Sequence, residues 1–364
     1  MTNLAMKRGR DIGLPFQGFP GLHNCITDVP GVEVGTVTLI EGTGRLVVGQ
    51  GPVRTGVTAL LPRGRVKAAT PCAAGYHALN GNGEMTGALW IEESGELQTP
   101  ITITNTHSCG VTRDATIRWL AERGLLTGTD WGLPVSAETF DGELNDINGF
   151  HVTAAHAISA LEIARAGPVE LGSAGGGTGM ICYDFKGGNG SASRVVSLTG
   201  QNHTVGVFVQ ANFGAREQLT ILGAPIGRHI TRDKLRGRDR GSVIAIVATD
   251  APLLAHQLKR LARRVPMGLA RTGTVGNNGS GDIFLAFSTA NEEAFVAGGS
   301  GKRSLEFLAN ESLDPLFQAT VEAVEEAVID SMLVNETMVG RDGNRCIALP
   351  HEELIALMQK YRLI

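Results

Sequence analysis

The sequence predicts a layered α/β protein, and three observations support that prediction. Several short segments are apolar and β-rich, as in strands that are covered on both faces. Other segments carry apolar residues at helical spacing. Hydrophobic residues make up 42% of the 364 residues and charged residues 19%, which is the composition of a folded globular chain. Because no change in composition divides the sequence, we expect one compact domain over residues 1–364.

The strands are predicted from alternation, apolar content and bounding Gly and Pro residues. Segment 32–39 alternates at period two, whereas 243–249 is a continuous apolar run typical of a buried strand. Segment 180–188 is more strand-like than helical. The predicted strands are 32–39, 56–62, 101–105, 133–140, 180–188, 205–212, 243–249 and 283–289.

The helices are predicted from apolar residues at helical spacing and from their terminating residues. Segment 152–166 is followed by Gly167 and Pro168, which end a helix. Asp250 is the expected N-cap of the helix that follows strand 243–249. The predicted helices are 114–123, 152–166, 252–265, 315–334 and 352–360.

Charge and cysteine usage exclude several classes of protein. The formal net charge is -4, whereas a nucleic-acid-binding chain is expected to be basic. No run of about 18 apolar residues predicts a membrane span, and the N-terminus lacks the apolar core of a secretory signal. The odd number of cysteines, without CxxC pairs, indicates reduced thiols and a cytoplasmic location. No His/Cys cluster has zinc spacing, so we predict neither metal nor cofactor.

Two motifs offer weak candidates for a functional site. The glycine run 172–179 could bind a nucleotide, but a dinucleotide loop requires a preceding strand and a following helix, and no helix is predicted after it. Cys109 has a His two positions away, at residue 107, and a thiol beside an imidazole can act as a nucleophile. A buried structural role is more usual for a free cysteine.

The junction Gly241-Ser242 is a stronger candidate, because a polar, charged loop at 228–241 leads there into a buried strand. The Ser242 hydroxyl can attack the preceding carbonyl, and hydrolysis of the resulting ester leaves Ser242 as a new N-terminus. The freed amine, with an ordinary pKa of about 7.7–8.0, can accept the hydroxyl proton near neutral pH. Gly241 lacks the Cβ that would resist the strained conformation.

Nine segments, in order along nearly the whole chain, resemble the D-aminopeptidase/β-peptidyl aminopeptidase family, the L-aminopeptidase/D-amidase/D-esterase enzymes. They are 24–32 (NCITDVPGV), 54–58 (RTGVT), 138–142 (ETFDG), 175–180 (GGGTGM), 185–188 (FKGG), 209–214 (VQANFG), 241–242 (GS), 248–253 (ATDAPL) and 279–282 (GSGD).

This resemblance implies a self-processing serine hydrolase. The implied fold is a four-layer αββα sandwich, similar to N-terminal nucleophile (Ntn) hydrolases but with different strand connectivity. Cleavage between Gly241 and Ser242 would give an α chain, 1–241, and a β chain, 242–364. Family members form multimers of such α/β heterodimers, often tetramers, so a homo-oligomer is expected here.

The resemblance also implies roles for individual residues. Ser242 would be the nucleophile, with its own α-amine as base, and Asn212 would donate an N–H to the oxyanion. Ser280 and Asp282 would relay or orient protons at Ser242. Glu138 would bind the free amino group of the substrate. Phe140 stands where some family members have a Tyr, whose hydroxyl it cannot replace.

The predicted function is therefore a serine aminopeptidase or amidase that releases N-terminal residues from small peptides, amino-acid amides or esters. One alternative is acyl transfer of the ornithine acetyltransferase-like type, although those enzymes use a Thr nucleophile. Another is nucleotide binding at 172–179. An L, D or β residue could be recognised, because that choice depends on cavity walls formed by several loops.

Overall fold

The computed structural model describes residues 7–236, 241–295 and 301–364, which form fourteen strands and nine α-helices. The strands are β1 (Glu33–Glu41), β2 (Val53–Leu61), β3 (Cys72–Gly81), β4 (Glu96–Leu97), β5 (Ile101–Asn105), β6 (Val135–Thr139), β7 (Ile181–Cys182), β8 (Phe185–Lys186), β9 (Gly188–Leu198), β10 (Gln201–Asn212), β11 (Ser242–Thr249), β12 (Gly281–Ser288), β13 (Met338–Val339) and β14 (Arg345–Cys346). The helices are α1 (Ala88–Ser94), α2 (Cys109–Glu122), α3 (Ala154–Glu162), α4 (Ile226–His229), α5 (Ala255–Ala262), α6 (Val265–Arg271), α7 (Glu292–Phe295), α8 (Asp314–Leu333) and α9 (His351–Lys360).

Two large sheets carry the architecture. The smaller has the order β1-β2-β5-β6, and the larger has the order β4-β3-β12-β11-β10-β9. Most neighbouring strands are antiparallel, but β5 and β6 are parallel, and so are β11 and β12. The mixed topology places β11, with Ser242 as its first residue, in the interior of the larger sheet.

The sheets and helices stack in four layers. Helices α2 and α3 pack on the outer face of the small sheet. The two sheets face each other across a second apolar cluster, and α5, α6 and α8 cover the far face of the large sheet. This arrangement confirms the predicted αββα sandwich. Among the helices of the described segments, none has both the length and the apolar character that crossing a membrane requires.

Strand β11 is completely buried, as its continuous apolar run predicts. Ile244 and Ile246 point into the layer between the sheets, while Val243 and Val247 point to the helices. Each of these side chains has no exposed surface, and burying one contributes about 1.5–3 kcal/mol. The start of the strand, where Ser242 lies, is therefore fixed by strong packing on both faces.

Strand β9 was not predicted from the sequence, because its first half, GNGSAS, is polar and glycine-rich. The structure shows why those residues are small. A Cβ on Gly190 would lie 1.9 Å from the carbonyl oxygen of Ala327 in α8, so the glycine lets the helix backbone pack directly on the sheet. Strand β3 was also missed.

The segment after β11 corrects one prediction. The helix expected over 252–265 is two helices, α5 and α6, and Leu254 precedes α5 at its N-cap position. Asp250 does not cap it, because its carboxylate accepts a hydrogen bond from the backbone N–H of Thr204 at 2.7 Å. The expected N-cap at Asp250 is therefore wrong.

Candidate active site

Ser242 opens onto a cavity of about 750 Å³ at the end of the two sheets. Its side chain is almost buried, with 6% of the residue exposed, and its Oγ accepts a hydrogen bond from the backbone N–H of Gly281 at 3.2 Å. Other residues lining the cavity include Glu84, His107, Glu138, Phe140, Glu143 and Arg341. The cavity is large enough for a small-molecule substrate.

The strand pairing brings Asn212 beside Ser242. These two residues are directly opposed in the antiparallel ladder between β10 and β11. Gly241 packs against the same place, since a Cβ there would lie 1.5 Å from the carbonyl oxygen of Asn212. No side chain fits at position 241 unless the backbone moves. This close packing, and not only chain flexibility, explains why a glycine stands there.

The amide of Asn212 is held in one orientation. Its Oδ1 accepts hydrogen bonds from the backbone N–H of Ile181 at 2.8 Å and from the guanidinium of Arg236 at 2.9 Å. Its Nδ2 donates to the carbonyl oxygen of Phe140 at 2.8 Å. Because an amide nitrogen carries two N–H groups, these bonds to described residues leave one N–H of Nδ2 unused. The flipped orientation is excluded, because it would place the NH₂ group of Asn212 against the two donors from Ile181 and Arg236.

Arg236 and Lys186 support Asn212, and sequence reasoning assigned neither a role. Arg236 belongs to the polar, charged loop at 228–241, of which residues 237–240 lie outside the described segments. Lys186 is completely buried, and its Nζ donates to the carbonyl oxygens of Met180 and Gly187 at 2.9 and 2.7 Å. These bonds tie down the hairpin that supplies the Ile181 N–H. Burial lowers the pKa of Lys186 to about 7.

Ser280 and Asp282 lie together beside the Ser242 strand. The hydroxyl of Ser280 donates to Oδ1 of Asp282 at 2.6 Å, and the amide of Asn80 donates to Oδ2 at 3.0 Å. Asp282 pairs with Val243 in the parallel ladder, and both line a separate cavity of about 190 Å³ on the helical side of the sheet. Gly281, between the two polar residues, supplies the N–H that reaches Ser242.

Glu138, the last residue but one of β6, places a buried carboxylate in the Ser242 cavity. Only 3% of the residue is exposed. Its oxygens accept hydrogen bonds from the backbone N–H of Glu84, at 3.0 Å, and from the hydroxyl of Thr106. No basic side chain within the described segments forms an ion pair with it. Burial raises its pKa, against the opposing effect of the Thr106 and Glu84 hydrogen bonds.

The two weaker sequence candidates have structural roles in the described chain. Cys109 is buried, its Sγ donates to the carbonyl oxygen of Ser136 at 3.3 Å, and burial raises its pKa to about 12, which opposes thiolate formation. In the glycine run, the N–H groups of Gly175 and Gly176 already donate to the hydroxyls of Thr38 and Thr58. They are not available to hold a phosphate.

Comparison with known proteins identifies the family to which this site belongs. The model of peptidase family S58 matches residues 24–346. The chain belongs to peptidase family S58. The beta-peptidyl aminopeptidase of Sphingosinicella microcystinivorans is 50% identical over 370 residues, covering 98% of this chain and 92% of that protein.

Comparison with solved structures agrees with this family. The L-aminopeptidase D-Ala-esterase/amidase from Ochrobactrum anthropi matches with a TM-score of 0.92 and 47% identity, covering 98% of this chain and 99% of that chain. That enzyme is described as a prototype for the serine aminopeptidases and as a new variant of the Ntn hydrolase fold. A beta-aminopeptidase from Burkholderia matches with a TM-score of 0.88 and 44% identity, covering 97% and 99% of the two chains.

These relationships confirm the predicted class of enzyme, a serine aminopeptidase or amidase with an Ntn-hydrolase-like fold. The acyltransferase and nucleotide-binding alternatives are not favoured. For nucleotide binding, the occupied glycine N–H groups supply the physical reason.

Proposed function

We propose that this S58 protein hydrolyses amides and esters at a free amino terminus through an acyl-enzyme on Ser242. One observation carries the proposal: Ser242 and Glu138, a buried carboxylate that forms no ion pair with any described residue, line the same cavity. A buried carboxylate is costly unless it is paired. A substrate ammonium supplies that pair and places the adjacent carbonyl near the nucleophile.

Glu138 is the residue we assign to amine recognition. The hydrogen bonds from Glu84 and Thr106 fix its two oxygens, so the carboxylate is oriented before substrate binds. An ammonium is a charged donor, and hydrogen bonds between charged groups are about twice as strong as neutral ones. This arrangement favours substrates with an unblocked amine over N-acylated ones.

Asn212 is the residue we assign to the oxyanion. When Ser242 Oγ bonds to the substrate carbonyl carbon, the carbonyl oxygen gains negative charge. The second Nδ2–H of Asn212 can donate to it, with the amide already fixed by Arg236 and Ile181. The α-amine of Ser242 accepts the hydroxyl proton and passes it to the leaving amine. Water then attacks the ester carbonyl and releases the product acid and Ser242.

The α-amine exists only after the bond between Gly241 and Ser242 is cleaved, so self-processing into 1–241 and 242–364 is part of the proposal. The close packing of Gly241 on the carbonyl of Asn212 supports it, because the junction is held rigidly beside the same amide. The roles of Ser280 and Asp282 are to hold the end of β12 and the Gly281 N–H against Ser242.

Small peptides are the substrates we propose, together with amino-acid amides and esters. The relative from Sphingosinicella microcystinivorans named above is called a beta-peptidyl aminopeptidase, which supports peptides with an N-terminal β-amino acid as the first substrates to test. Phe140 lines the cavity without a hydroxyl group. Assembly as a homo-oligomer, including a tetramer of α/β heterodimers, and a cytoplasmic location are also proposals.

Denaturing intact-mass spectrometry of freshly purified protein tests the processing step. We expect two species of about 25 and 13 kDa, scaled by length as for average composition, meeting between Gly241 and Ser242. Ser242→Ala should remain one 38.3 kDa chain and hydrolyse no aminoacyl amide. Ser197→Ala, at an exposed position of β9, is the matched control. Full turnover by Ser242→Ala would refute the proposal.

A further inference from the structure

The Ser242 cavity contains one arginine among several acids. Glu84, Glu138 and Glu143 line it, and Arg341 is the one Lys or Arg side chain on its wall in the part of the chain that the structure describes. Recognition of the substrate amine requires one carboxylate, and no step of the proposed reaction uses Arg341. The residue therefore calls for a separate explanation.

The guanidinium of Arg341 has no hydrogen-bond acceptor among the described residues. Its Nε is buried without a partner. The nearest carboxylate oxygen, on Asp342, lies 3.7 Å away, beyond hydrogen-bonding distance. A guanidinium carries five N–H donors in a planar fork that matches the two oxygens of a carboxylate. This long ion pair with Asp342 leaves the N–H groups of Arg341 without a hydrogen-bond acceptor among the described residues. Such a guanidinium on the wall of a substrate-sized cavity indicates a binding function.

The loop carrying Arg341 is fixed before any ligand binds. The backbone N–H of Arg341 donates to the carbonyl oxygen of Leu144 at 2.9 Å, and that of Asp342 donates to Gly44 at 2.8 Å. The amide of Asn344 donates to the carbonyl oxygen of Glu143 at 2.8 Å. Gly340 packs so tightly that a Cβ would lie 2.2 Å from the carbonyl oxygen of Leu144. These contacts hold the base of the side chain at the cavity wall.

We propose that Arg341 binds the α-carboxylate of a short peptide substrate. The inference rests on the proposed function and narrows its substrate class to dipeptides and comparably short peptides with a free C-terminus. Such a substrate carries an ammonium and a carboxylate on either side of the scissile amide. Glu138, Ser242 and Arg341 supply a complementary anion, nucleophile and cation in one cavity of about 750 Å³. Longer peptides would place a neutral amide where Arg341 requires charge.

The test compares a dipeptide with its own C-terminal amide. β-Alanyl-L-alanine and β-alanyl-L-alanine amide share the scissile bond and differ in one charge, and L-alanyl pairs serve in the same way. We expect the wild-type protein to prefer the free acid. Arg341→Gln should lower the ratio of the two kcat/KM values about 10- to 100-fold, mainly through KM of the acid. Arg341→Lys should lower this ratio less, because the lysine ammonium keeps the positive charge but loses the paired N–H donors of the guanidinium.

Arg345→Gln is the matched control, since Arg345 is an exposed arginine four residues further along, at the start of β14, and faces Asp233 rather than the cavity. It should keep the wild-type ratio. Equal use of acid and amide by the wild-type protein, or an unchanged ratio in Arg341→Gln, would overturn the inference and leave the proposed function intact. If neither compound nor any aminoacyl amide is hydrolysed, the proposed function fails and the inference fails with it.

Discussion

Replacing Asn212 by Asp tests the oxyanion assignment with little change in shape. The Oδ1 atom and its two donors, Ile181 and Arg236, are retained. The Nδ2 atom becomes an oxygen that faces the Phe140 carbonyl oxygen at 2.8 Å. The substitution removes both N–H donors of the amide, the one that holds Phe140 and the one proposed to face the substrate.

Two magnitudes follow from this geometry. Loss of one oxyanion donor costs about 10²- to 10³-fold in kcat, or roughly 2.7–4 kcal/mol of transition-state stabilisation. Leaving the carbonyl of Phe140 without its donor costs about 1–3 kcal/mol of folding free energy. The attraction between the new carboxylate and Arg236 offsets part of that loss. The variant should therefore fold with reduced stability, keep KM close to wild type and lose most of kcat.

The assay is steady-state hydrolysis of a chromogenic aminoacyl amide, with kcat referred to the concentration of processed chains measured by intact mass. Urea unfolding gives the stability change separately. Asn189→Asp is the control, because Asn189 is a buried asparagine that donates to Thr58 and Ala174 and does not line the cavity. It should lose stability but not 100-fold in kcat. A folded, processed Asn212→Asp protein with kcat within fivefold of wild type would refute the assignment.

Three further predictions concern residues outside the cavity lining. Burial raises the pKa of Asp141 from 3.8 to about 7, so its contribution to stability is present below pH 3.8 and is lost as pH rises to about 7. Asp141→Asn should remove this dependence, which amounts to roughly 2.7 kcal/mol in urea unfolding at pH 5 against pH 8, since two of the pH units between the two pKa values lie in that interval. Gly241→Ala should give insoluble or unprocessed protein on gels, whereas Gly110→Ala, with nothing within 4 Å of its added Cβ, should process normally. Cys109→Ala should retain wild-type kcat, and iodoacetamide should not inactivate the native enzyme, because the thiol is buried with a pKa of about 12.

The apolar pattern was sufficient to predict the sheets' central strands, because burial on both faces leaves a continuous signal. Strand β11 and helix α8 lie within one residue of their predicted bounds. Strand β9 could not be found in this way. Its glycines are selected by the approach of a helix that is distant in sequence, as Gly190 and Ala327 show, and no local periodicity records such a contact.

The candidate site likewise contains residues that the sequence reveals and residues that it does not. Ser242, Glu138 and Asn212 stand in recognisable motifs, and the fold brings them to one place. Arg236 and Arg341 carry no motif, and their charge resembles that of any exposed residue. Their positions depend on which strand ends meet in three dimensions, so only the structure distinguishes them from the solvated arginines elsewhere.

The position of Ser242 within the large sheet also determines how the two sides of the 241–242 junction depend on each other. Strands β3, β4, β9 and β10 precede the junction, while β11 and β12 follow it and lie between them. Eight residue pairs join β11 to β10, and a comparable ladder joins β12 to β3. A cut at this bond would leave two pieces that co-purify until denatured. If the pieces 1–241 and 242–364 were produced separately, we expect each to expose unpaired strand edges and to aggregate. Folding of the intact chain would then have to precede the cut.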